Sequence, residues 1–104
     1  MNVEWTPQAR SAVIETMIYI EETFGTKTML EFAEAIAESE MYLARDPYMF
    51  KIEPLLESCA GTFRGLNVKK LNKIIYRIDN NCVYIVDFWN LRMNPEKLQN
   101  RIND

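Results

Sequence analysis

The apolar residues of this 104-residue chain change their spacing once, and that change limits what it can fold into. After the first few residues and up to residue 46 they recur every three or four positions, and from residue 62 they alternate or run together in short stretches. The first habit belongs to helices with one buried stripe, the second to strands. An α+β fold is predicted, with helices first and most strands after them.

Asn2-Val3-Glu4-Trp5 alternates polar and apolar, as a strand with one buried face does. Thr6-Pro7 reads as an N-cap followed by proline at the first helical position, where its missing N–H costs nothing. Val13, Met17, Ile20 and Phe24 then form a stripe that Ile14 and Ile18 widen, and Gly25 stops the helix. A second helix is expected from a capping box at Thr28-x-x-Glu31, with Phe32, Ile36 and Leu43 on one face, Met29 and Ala33 beside it, and Glu31, Glu34 and Glu38 opposite. Asp46-Pro47 ends it. So short a link predicts an antiparallel helical hairpin.

Residues 47–62, with Pro47, Pro54 and Gly61, read as a surface loop with a short turn around Leu55-Leu56. Three strands follow: Thr62–Val68, Leu71–Ile78 and, after the turn signal Asp79-Asn80-Asn81, Cys82–Trp89. In the last of these Val83, Ile85 and Asp87 should face one way and Tyr84, Val86 and Phe88 the other. A strand apolar on nearly both faces is central in its sheet. Asn94-Pro95-Glu96 should cap a closing helix to Ile102.

At 48% hydrophobic and 26% charged residues, the chain fits one domain spanning residues 1–104. No apolar run approaches the ~20 residues that cross a bilayer, and Met1–Trp5 leads straight into patterned sequence, so a cytoplasmic protein without a membrane partner is expected. Cys59 and Cys82 are too few for a disulfide framework and fit a reducing compartment. A net charge of −3 argues against a general nucleic-acid coat.

That net charge hides a division. Residues 1–57 hold four Lys/Arg against eleven Asp/Glu, and residues 58–104 hold eight against four. Between Ser58 and Ile78 stand Arg64, Lys69, Lys70, Lys73 and Arg77 with no acid among them. On alternating strands Lys73 and Arg77 share a face, and Lys69 points with Asn67. Such a face either neutralises phosphates or is a solvated surface whose lysines protect a sheet edge. Arg92, after the central strand, either holds phosphate or pairs with Asp87 or Glu96. There is no His, so His-dependent triads and His metal sites are excluded. Glycines at 25, 61 and 65 cannot make a phosphate loop. No metal and no cofactor is expected.

Trp5-Thr6-Pro7-Gln8-Ala9 opening a helical hairpin, then Tyr76-Arg77-Ile78, Val83–Trp89 and Arg92-Met93-Asn94-Pro95, resemble the RelE/ParE superfamily. These are toxins of type II toxin–antitoxin (plasmid stabilisation) modules. The resemblance implies an N-terminal strand and helical hairpin, a three-stranded antiparallel sheet with a concave functional face, and a short C-terminal helix. It also implies growth inhibition, a cognate antitoxin as partner, and a homodimer or toxin–antitoxin hetero-oligomer. RelE-like members cut mRNA on the ribosome, and ParE-like members inhibit DNA gyrase without that chemistry. By resemblance Lys73 stands near the strand arginine of the nucleases and Arg92 matches the arginine after the last strand, so these two would be catalytic in a RelE-like protein. Arg64, Lys69, Lys70, Lys73, Arg77 and Arg92 together would bind target or antitoxin. The nucleases often complete their site with a Tyr or His near the C-terminus, whereas here no Tyr follows Tyr84 and Leu98 stands about there. The acidic balance and this missing residue favour the ParE-like branch.

Overall fold

A computed structural model describes residues 1–92 and 95–103. Its elements run β1 (Asn2–Trp5), α1 (Pro7–Phe24), α2 (Thr26–Arg45), a single 3-10 turn at Pro54–Leu56, β2 (Arg64–Val68), β3 (Asn72–Asp79), β4 (Cys82–Asn90) and α3 (Pro95–Asn103). The expected order of strand, helical hairpin, antiparallel strands and short helix is therefore present. The cap expected at Asn94 lies outside the described residues. β1 joins the sheet as well: the order is β1-β4-β3-β2, with β1 parallel to β4 and the other neighbours antiparallel. β4 is central, as its apolar character predicts.

Thr6 caps α1 as its sequence suggests, its hydroxyl accepting from the Ala9 N–H at 3.2 Å. Gly25 is the whole link between the helices. At φ +98° it takes a conformation that side chains disfavour, and its N–H donates to the Glu21 carbonyl at 3.0 Å. Its own carbonyl accepts from the Met29 N–H at 3.2 Å, so α2 begins at once at Thr26. The capping box expected at Thr28 does not form, because those residues already lie inside the helix. Phe32, Ile36 and Leu43 are buried as predicted, whereas Ile14 (47% exposed), Ile18 (53%) and Phe24 (63%) are not. Phe24 meets Tyr19 edge-to-face instead of entering the core.

The hairpin covers one sheet face through Leu66, Val68, Ile74, Tyr76, Val83, Ile85 and Phe88. Tyr76 donates its hydroxyl to the Pro47 carbonyl at 2.6 Å, tying the end of α2 to the sheet. Burial pushes its pKa up to about 12, so the phenol keeps the proton this bond needs. The opposite face carries a smaller core of Ile75, Trp89, Leu56, Cys59, Phe63 and Leu98. Residues 47–62 are thus more than a surface loop. Leu56 and Cys59 are buried because they roof Ile75 and Trp89, which would otherwise face water, and Glu53 is buried where it pairs with Lys73.

One irregularity redirects β4. Ile75 pairs with Asp87 but Tyr76 pairs with Ile85, leaving Val86 as an extra residue. Such a bulge reverses the facing of everything beyond it. Phe88 therefore joins Val83 and Ile85 under the helices, meeting Phe32 edge-to-face at 5.7 Å. Asp87 is turned away from Ile85, contrary to simple alternation.

Two substitutions test this assignment of faces. Phe88→Ala should cost about 3–5 kcal/mol in denaturant unfolding, as large aromatic truncations in cores do. Ile18→Ala, on an exposed position, should stay within about 0.5 kcal/mol of the parent.

Candidate functional site

The six basic residues singled out by sequence do not form one face. Arg64 shares its sheet face with Leu66 and Val68, on the hairpin side. Its guanidinium donates to the Phe50 carbonyl at 2.7 Å and lies 5.5 Å from the Tyr48 ring. Lys73 and Arg77 share the opposite face, as expected, but buried Ile75 and its roof stand between them.

Both have partners. Lys73 is ion-paired at 2.8 Å with Glu53, whose side chain is only 4% exposed. Arg77 pairs with Asp79 at 3.2 Å and stacks 4.7 Å from the Tyr84 ring centre. Lys73 also borders a recess of about 570 Å³, walled by Met49, Ile52, Leu66 and Asn67.

Gly65 makes room for the Lys73–Glu53 pair. A Cβ there would fall 2.7 Å from Lys73 Cδ and 2.9 Å from Glu53 Oε2, closer than ordinary packing permits. Glu53 escaped sequence reasoning because it sits in a stretch with no periodicity. An acid in an otherwise apolar segment, next to a proline, was the one available signal.

Lys69, Lys70 and Arg92 do come together. Asn72 pairs with Asn90, and the Leu91 N–H donates to the Leu71 carbonyl at 2.8 Å, so the β2–β3 turn lies beside the segment after β4. Lys69 stands at φ +55° inside that turn and does not continue the strand direction of Asn67. Lys69, Lys70 and Arg92 are exposed, and Leu71 and Leu91 between them are 40% and 41% exposed. This end of the sheet is basic with an apolar centre. Arg92 does not pair with Asp87, since that carboxylate is held elsewhere.

Asp87 is fully buried beside the bulge. Its carboxylate accepts from the Phe88 N–H at 2.8 Å and the Gln8 amide at 3.4 Å, and it pairs with Arg101 of α3. One side chain thus joins β4, the start of α1 and the C-terminal helix. Burial raises its pKa above the ordinary 3.8, against the opposing pull of Arg101, the Phe88 N–H and Gln8. Among the described residues no group of three or more Cys, Asp or Glu is placed to hold a metal ion.

Two expectations follow from these pairs. A double-mutant cycle with Lys73→Met and Glu53→Gln should return a coupling of about 1–3 kcal/mol, because either single change strands a largely buried polar partner. Asp87 binds its proton more tightly folded than unfolded, so its contribution to stability is complete below the ordinary carboxylate range and is lost as pH rises through the folded value. The melting temperature of the parent minus that of Asp87→Asn should therefore fall as pH rises from 3.8. A difference that grows with pH would contradict the burial argument.

No protein-family model and no curated protein matches the chain. Among solved structures it is similar to a chain described as "Chromosomal ParDE TA system from P. aeruginosa", with a TM-score of 0.72 and 16% sequence identity. The likeness covers 88% of this chain and 97% of that one. At that identity it is a likeness of fold, and the α+β fold implied by the sequence resemblance is the one observed.

Proposed function

We propose that this protein is the toxin of a type II toxin–antitoxin module, and that it stops growth by binding its target in the ParE manner, with DNA gyrase as that target, rather than by cutting RNA. The observation that carries the family reading is the fold shared almost end to end with a chain of a ParDE system. A cognate antitoxin follows as partner.

The non-cutting mode is supported by the state of the basic groups. In-line cleavage of RNA needs several charged donors converging on one phosphate. Here Lys73 is committed to Glu53, Arg77 to Asp79 and Tyr84, and Arg64 lies across the sheet. One observation favours the ribosome-dependent nuclease instead: Lys69, Lys70 and Arg92 gather at an exposed end of the sheet. A degenerate member that only binds would share the fold and lack toxicity.

Production of the protein alone should halt growth, and co-production of the protein encoded beside it should relieve the block. Tolerance of strong production without any antitoxin would sink the active-toxin reading. Purified protein should inhibit gyrase supercoiling and leave ribosome-bound mRNA intact. Arg92→Ala and Lys70→Ala should melt like Lys27→Ala, a control on the hairpin. If either residue contacts a target phosphate, losing that charge-assisted bond costs ~1.5–3 kcal/mol, or roughly 10- to 150-fold in toxicity. mRNA cleavage that disappears in both variants would select the nuclease branch.

A further inference from the structure

Lys73 and Glu53 meet beside a recess at the outer edge of the sheet. β2 is an edge strand, and the chain from Lys51 to Glu53 runs along it as far as Gly65, whose N–H donates to the Lys51 carbonyl at 3.1 Å. Beyond that point no described residue pairs with the outer side of β2. Asn67 stands two residues further on, so its N–H points outward like that of Gly65. It is also the cross-strand neighbour of Lys73, which puts both side chains on one face. Lys51, Asn67 and Lys73 all line the recess, and Glu53 is the one acid among its described lining residues.

Without the Glu53 charge this recess would hold two cations, an amide side chain and an edge N–H. That is a donor set for an anion of the size of phosphate. The Glu53 carboxylate stands where such an anion would bind. Its Oε2 lies 2.8 Å from Lys73 Nζ, and its Oε1 accepts from the Leu55 N–H at 3.5 Å. The Lys73 side chain is 21% exposed, so the ammonium stays reachable from solvent. Only the absence of a side chain at residue 65 lets the carboxylate reach this place, since a Cβ there would lie 2.9 Å from Glu53 Oε2. Gly65 has no positive φ, so close approach and not backbone conformation is what calls for glycine.

We infer that Glu53 is an internal anion that occupies Lys73 and keeps this recess closed to phosphate, and that neutralising Glu53 alone opens an anion site. A carboxylate tethered beside its partner competes at an effective concentration of about millimolar or above, which dilute free phosphate does not displace. A pair that served stability alone would behave differently. Breaking it would lower the melting temperature without creating any affinity for phosphate. The inference goes beyond the toxin reading and does not rest on it, because anion binding is measured on the isolated protein.

The test titrates inorganic phosphate into the intact parent, Glu53→Gln, Glu53→Asp and a double variant carrying Glu53→Gln and Lys73→Met. Binding is read at the amide NMR signals of Lys51, Gly65 and Asn67, so that weak association with other lysines registers elsewhere. Glutamine keeps the volume and the Oε1 acceptor, and the double variant replaces the pair by uncharged groups. Glu53→Gln should bind phosphate at least about tenfold more tightly than the parent. Its melting temperature should start below the parent's and rise as phosphate is added, because a ligand of the folded state stabilises it. Glu53→Asp, with a carboxylate one methylene shorter, should bind with intermediate affinity, and it carries the comparison if the glutamine variant does not fold. The double variant should lose the phosphate response. No gain in phosphate affinity in either single variant, or a gain that survives Lys73→Met, would overturn the proposal. So would a parent that already binds phosphate at these amides as tightly as Glu53→Gln.

Discussion

A single extra residue in the central strand governs how the two cores are filled. With Val86 bulged out, Phe88 turns under the helices and Asp87 turns away from Ile85. Without the bulge Asp87 would be pressed into the larger core beside Val83 and Ile85, where a carboxylate has no partner and its burial would cost several kcal/mol. With it, the carboxylate meets Arg101, Gln8 and the Phe88 N–H, and becomes the point at which β4, α1 and α3 are joined. Trp89 then closes the second core with Leu98 of α3. The bulge thus sets the seat of the C-terminal helix as well as the strand.

Charge follows a similar logic. The basic half of the chain reads as a phosphate-binding surface, yet folding pairs part of that charge within the chain. Lys73 neutralises buried Glu53 and Arg77 lies between Asp79 and Tyr84. Lys69, Lys70 and Arg92 at one end of the sheet stay exposed, as does Lys97 on α3. The helical hairpin keeps most of its acidic charge in water, because Glu15, Glu21, Glu22, Glu31, Glu34 and Glu38 sit on its outer faces. The largest unbalanced field therefore belongs to the helices rather than to the sheet.

The apolar stripe of α1 is wider than the sheet beneath it. β1 is only four residues long and the hairpin link is one glycine, so Ile14, Ile18 and Phe24 overhang the core. An overhang of this kind costs solubility unless something covers it, and Ile14 within it lines a recess shared with Ala33 and Ala37 of α2.

The sequence by itself determined the elements that depend on near neighbours. Thr6-Pro7 starts α1, Gly25 ends it, Asp46-Pro47 stops α2, and Asp79–Asn81 turns β3 into β4, because caps and turns are made by residues a few positions apart. The fold class and the central place of β4 followed from apolar spacing, and the succession of short motifs pointed to the same architecture. Tertiary structure alone decided the rest. Nothing local marks Val86 as a bulge, since its position reflects the register between β3 and β4. Nothing local pairs Glu53 with Lys73, twenty residues away, or shows that Gly65 must be small to admit them. Alternation could say that Lys73 and Arg77 share a face, but not that Ile75 between them is roofed by a loop without periodicity. Long-range pairing carries no sequence period, so those contacts became visible only when the chain was folded.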